Sequence, residues 1–167
     1  VQFLLGDGQG GFTQQGLLVE DISTGPTFTD LNADGIDDVA FLTSRFDPDT
    51  STNVYQMVIY TGDGSGGYGN LIGSPFAVPP AVSLVSGNFI GDSATDVALC
   101  NGGTIYVFEG SGSGNDATLT LGQTLTVDTN GFPGTAVALD YGENGYDGLV
   151  VAASNNNWEA WLSLIHI

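Results

Sequence analysis

Lysine is absent from this sequence, and arginine, cysteine, methionine and histidine occur once each. Nineteen acidic residues face a single basic one, Arg45, and the net charge of −18 repels nucleic-acid phosphates and anionic bilayers. Nucleic acid is thereby excluded as a partner. The lone Cys100 cannot form an internal disulfide, and its place at the end of Val97-Ala98-Leu99 predicts a buried free thiol. No apolar run approaches the ~18 residues of a membrane helix, which argues against membrane insertion. Val1 follows no charged leader, but the pattern is already under way there, so the missing leader carries no weight.

Helical periodicity is missing too. No long window keeps apolar residues at i, i+3, i+4 and i+7 without a Gly or Pro interrupting it. What the chain has instead is 26 glycines among short β-branched and aromatic runs, so it reads as all-β and rich in tight turns.

Two sequence elements recur. GDGQGGF at 6–12 and GDGSGGY at 62–68 each follow an apolar strand-like run, and GSGSGND at 110–116 is a weaker third copy. Interleaved with them are DLNADGIDDVAFL at 30–42, NFIGDSATDVALC at 88–100 and the eroded DYGENGYDGLVVA at 140–152. Each of the latter passes from an acidic loop into a strand. The spacing of roughly 50 to 60 residues suits a four-stranded propeller blade. The near-continuous apolar run 39–42 predicts an inner strand covered on both faces, and the alternation over 54–60 an outer one. Pro79-Pro80 predicts a connection between blades.

LLGDGQGGF and the D-x-N-x-D-G-x-x-D loop at 30–38 resemble the two halves of the FG-GAP/VCBS repeat found in bacterial surface proteins and integrin α subunits. The resemblance implies an all-β fold, a partial β-propeller of about three four-stranded antiparallel blades, with the remaining blades of the same parent chain as packing partners. On that reading residues 1–162 are a single repeat domain. Residues 1–27 end one blade, 28–86 and 87–137 are blades, and 138–162 start a further one. Ser163-Leu164-Ile165-His166-Ile167 reads as a non-native tail derived from a sequencing adapter and is given no weight in the fold. That removes the only histidine.

The acidic loops carry the candidate chemistry. In loop 30–38 oxygen-bearing side chains fall at positions one, three, five and nine, Asp30, Asn32, Asp34 and Asp38. Gly35 sits where the chain must turn, and Ile36 offers its backbone carbonyl. This is the spacing of a Ca²⁺ loop, and unbalanced carboxylates would repel by roughly 4 kcal/mol per pair at about 4 Å and an effective dielectric of about 20. The bland alternative is an Asx turn before a strand. An EF-hand is rejected, because position twelve is Phe41 inside a strand. The second loop matches in part, through Asn88, Asp92 and Asp96, with Ile90 at position three and Ser93 in place of the glycine. The third keeps Asp140, Asn144 and Gly145 but has Gly148 at position nine, with Asp147 one residue off register, and reads as a plain turn.

Gly6-x-Gly8-x-x-Gly11 and Gly62-x-Gly64-x-x-Gly67 fit a dinucleotide fingerprint but open no helix, so they read as hairpin turns. Asp47 and Asp49 read as a solvated loop, and Trp158 and Trp161 as blade packing with a sugar platform as the alternative. Without lysine or an internal histidine, triads, Schiff bases and His-ligated zinc lack their residues. A glycosidase carboxylate pair would need an acid in an apolar cleft. The sequence therefore predicts a non-catalytic, secreted or cell-surface, Ca²⁺-binding module for adhesion or for recognising a protein or carbohydrate. The alternative is a scaffold or accessory domain of a larger secreted hydrolase or polysaccharide lyase.

Overall fold

The computed structural model describes residues 3–15, 21–70, 73, 75–90, 94–126, 132–140, 145–154 and 160–165. It is all-β and antiparallel, with no α-helix among the described residues. No described helix is long and apolar enough to cross a membrane.

A short hairpin comes first, β1 (Phe3–Gly6) and β2 (Phe12–Gln15). The first full sheet runs in chain order through β3 (Ile22–Thr29), β4 (Asp38–Asp47), β5 (Thr52–Gly62) and β6 (Tyr68–Asn70), with β7 (Phe76–Ala77) also on β5. The second runs through β8 (Ser83–Gly87), β9 (Asp96–Asn101), β10 (Thr104–Ser111) and β11 (Thr118–Thr126). A third has β12 (Phe132–Leu139), β13 (Gly148–Ser154) and β14 (Ala160–Ile165). The sheets thus hold two to five strands, each next to its chain neighbour except β7, which pairs with β5.

Burial on both faces of the second strand stacks these sheets. On β4, Ala40 and Leu42 belong to one core while Val39 and Phe41 belong to another. On β9, Val97 and Leu99 share the first of these cores with β4 and β5, whereas Ala98 and Cys100 join Leu149 and Val151 of β13. With side chains alternating across a strand, an unbroken apolar run is what burial on both faces requires, and on β9 the two faces meet two different sheets. Each fully buried aliphatic side chain contributes about 2 kcal/mol. Burial also pushes the Cys100 thiol up to about 11, where it is inert.

The first strands of successive sheets lie side by side. Thr27 on β3 bonds Ser86 on β8 through their hydroxyls at 2.9 Å, and the Ala136 N–H on β12 donates to Ser83 Oγ on β8 at 3.2 Å. The sheets begin at Ile22, Ser83 and Phe132, ahead of the expected divisions at 28, 87 and 138. The strand before each acidic loop pairs with the strand after it, so the loop lies inside a sheet and not at its start. Pro79-Pro80 does join two sheets, between β7 and β8. β14 runs three residues past the expected boundary at 162, with Ser163, Leu164 and Ile165 opposite Val151, Val150 and Leu149. The β-prone Leu164 and Ile165 extend the ladder; His166 and Ile167 lie outside the described residues.

Candidate metal loop

Loop 30–38 has a rim, exposed at Asp34 and buried at Asn32, over a buried base. At the rim, Asp30 accepts the N–H groups of Asp34 and Gly35 at 3.1 and 2.8 Å. Asn32 Oδ1 accepts the same Asp34 N–H at 3.1 Å, and its amide donates to Asp34 Oδ2 at 3.0 Å. Asp34 Oδ1 in turn accepts from Ile36 N–H at 2.9 Å. These contacts bring Asp30, Asn32 and Asp34 together on one side of the turn. Gly35 takes φ 85°, the left-handed conformation that position six demands, and Ala33 takes φ 54°, which costs a residue with a Cβ about 1–2 kcal/mol.

The base is Asp38, which is fully buried. One oxygen accepts Leu31 N–H at 2.9 Å, closing the loop, and the other accepts Gly62 N–H at 3.0 Å, fastening the end of β5. Burial holds its carboxyl above the usual carboxylate value against these two N–H groups, with the nearby Asp34 and Asp30 charges adding to the rise. The charge of Asp38 is thus answered first by backbone dipoles. Leu31, between rim and base, is buried in the core between the first and second sheets.

Loop 88–96 repeats the base and changes the rim. Asp96 is 1 % exposed, one oxygen accepting the Phe89 and Ile90 N–H groups and the other Gly110 N–H, all within 2.8–2.9 Å. Phe89 fills the place of Leu31 and is buried against the third sheet. Asn88, expected as a partial ligand, faces its neighbour: its N–H donates to Asp147 Oδ2, its carbonyl accepts Asp147 N–H, and its amide donates to the Gly145 carbonyl. Its Oδ1 is buried with no hydrogen-bond partner among the described residues. Asp92 lies outside the described residues, as do Ser93, Asn144 and Trp158.

In the third loop Asp140 accepts Gly145 N–H at 3.3 Å, as a turn does. Asp147, off register by sequence, bonds across to the second sheet. Two further features escaped the sequence pattern. One is the plug at position two, Leu31 or Phe89. The other is the first glycine of each turn motif, Gly62 or Gly110, which donates to the buried aspartate. A Cβ on Gly62 would strike the Asp37 carbonyl oxygen, and one on Gly110 the Thr95 carbonyl oxygen. The signal was the fixed pairing of D-V-A at a strand start with the next G-D-G or G-S-G.

The glycine motifs are hairpin turns, as expected. Asp7 Oδ1 accepts from Gln9 and Gly11 N–H, and Asp63 Oδ1 from Ser65 N–H, Ser65 Oγ and Gly67 N–H. These bonds hold both carboxyls below their usual range. Between the 62–68 turn and Ile36-Asp37 lies a shallow pocket of about 190 Å³ walled by Tyr68 and four glycines. Asp47 closes the β4–β5 turn, accepting Asp49 N–H and the Thr50 hydroxyl, so the solvated loop is a short exposed turn of residues 48–51. The side chain of Trp161 lies outside the described set.

Among the described residues, no three His, Cys, Asp or Glu side chains are grouped so as to hold a metal. The rim therefore presents two carboxylates, Asp30 and Asp34, with the amide oxygen of Asn32 and the loop carbonyls. No protein-family model matches this chain, and no curated protein matches it either.

Proposed function

We propose that the chain is a non-catalytic, extracellular recognition module whose sheets are blades of a β-propeller of the FG-GAP/VCBS kind, with Ca²⁺ bound at the rim of loop 30–38. The observation that carries this reading is the repetition, in two consecutive stacked sheets, of one acidic loop between first and second strands, tied to a glycine at or next to the end of the third. Asp30, Asn32, Asp34 and the Ile36 carbonyl would hold the ion, an all-oxygen donor set suited to a hard cation. Asp38 would serve beneath it as the anchor of the loop. The shortage of cations in the sequence supports an ion as the counter-charge, since Arg45 is the only basic side chain available.

Recognition of a protein or carbohydrate is part of the proposal, since loops held by packed sheets are where binding residues concentrate. The reading is non-catalytic because the sequence lacks lysine and keeps its histidine at position 166. Thermal melts with millimolar Ca²⁺ and with chelator test it. The expected result is a rise in Tm with Ca²⁺ that disappears in Asp34→Ala. Identical melts in both conditions would reduce loop 30–38 to a hydrogen-bonded turn.

A further inference from the structure

Loop 30–38 reaches the second sheet through two adjacent residues. The buried Leu31 belongs to the core that holds Phe108, Ala117 and Leu119 of the second sheet. Beside it, the Asn32 carbonyl accepts the Gly114 N–H at 2.5 Å, from the 3₁₀ turn Gly114–Asp116 that joins β10 to β11. Asn32 is 4 % exposed, and its side chain faces the other way, onto the rim and Asp34. One residue therefore holds the rim with its side chain and the neighbouring sheet with its backbone. The next residue, Ala33, takes a left-handed φ of 54°.

We infer that cation binding at the rim and docking of the Gly114 turn are coupled through Asn32, so that the loop is an ion-dependent clasp between the first and second sheets. The inference rests on the calcium reading above. A cation drawn to Asn32 Oδ1 and the Gly114 N–H drawn to Asn32 O select the same strained conformer, so each spares the other the cost of ordering it. Linkage makes the effect mutual: a docked turn raises the affinity of the rim, and a filled rim tightens the turn.

The test uses the whole chain with CaCl₂ as probe, combining calorimetric titration with amide exchange at Gly114. In the wild type, saturating Ca²⁺ is expected to slow Gly114 exchange by about fivefold or more, and in Asp34→Asn to leave it unchanged. Gly112→Ala disturbs the turn without touching the rim, since Gly112 has φ 79° and an added Cβ would strike the Asp116 carbonyl. It should weaken Ca²⁺ binding by about the same factor. Ca²⁺ binding with Gly114 exchange unmoved would overturn the clasp and leave the calcium reading standing. No Ca²⁺ binding by the wild type would overturn both. If Gly112→Ala does not fold, wild-type Gly114 exchange decides alone.

Discussion

Asp38 and Asp96 occupy the same place in consecutive sheets, yet the loops above them differ. In the first full sheet the rim gathers Asp30, Asn32 and Asp34 around one turn. In the second, Asn88 spends its backbone and its amide on Asp147 and Gly145 of the third sheet. Below, the two are alike: an apolar plug, a buried aspartate and a glycine at or next to a strand's end. The base recurs because a strand must enter each sheet beside the end of another, and a carboxylate can accept the N–H groups of both. The rim is free to vary. An aspartate at position nine is therefore explained by folding, whether or not its loop meets an ion.

The sharpest way to break this comparison is to remove both anchors. Asp96→Ala would leave the Phe89, Ile90 and Gly110 N–H groups without their acceptor, and Asp38→Ala would leave those of Leu31 and Gly62. At about 1–3 kcal/mol for each stranded buried group, less what relaxation recovers, the losses should be about 4 and about 3 kcal/mol. Urea unfolding in chelator measures both. A wild-type midpoint for Asp38→Ala, with a large loss for Asp96→Ala, would show that Asp38 serves the rim alone and that the bases are not equivalent.

Part of this is legible in the sequence alone. The runs 39–42 and 97–100 are apolar at odd and even positions alike, which only a strand buried on both faces tolerates, and both are second strands. The first strands were harder. β3 contains Gly25-Pro26 and β12 contains Pro133-Gly134, residue types that favour turns over strands. The structure accommodates them with register shifts between Thr24 and Thr27 and between Pro133 and Ala136. The rim of loop 30–38 was visible in its spacing, whereas the burial of Asp38 was not, since spacing cannot say whether a carboxylate faces an ion or two peptide groups. Asp147 was unreadable for a different reason: its partner is Asn88, 59 residues away in another sheet.

A smaller effect tests the glycines that receive the anchors. Gly62→Ala and Gly110→Ala each place a methyl group against a backbone carbonyl, at Asp37 and Thr95. Backbone cannot swing aside like a side chain, so each should lose about 1–3 kcal/mol, measured by the same urea titration. Equal losses would support equivalent bases. A neutral Gly62→Ala would mean that the end of β5 has room to shift that β10 lacks.

The mildest test concerns the turns that follow those glycines. The first sheet has Asp63 there, exposed and bonded to Ser65 and Gly67, whereas the second has Ser111, whose hydroxyl pairs with Thr118 at 2.9 Å. Hydrogen bonds from Ser65, then Gly67, hold the Asp63 carboxyl below its ordinary 3.8. Its contribution is therefore present above 3.8 and is lost as pH falls through the lower folded-state value. Asp63→Ser gives the first sheet the residue of the second and removes that contribution. The variant should melt slightly below wild type at neutral pH, and the gap should close once the solution is more acidic than the folded carboxyl. Melts from about pH 7 down to about pH 2 follow it. A gap that persists at the acid end would assign the turn's stability to the Asp63 side chain's shape and not to its charge, and the two turns would then differ in packing alone.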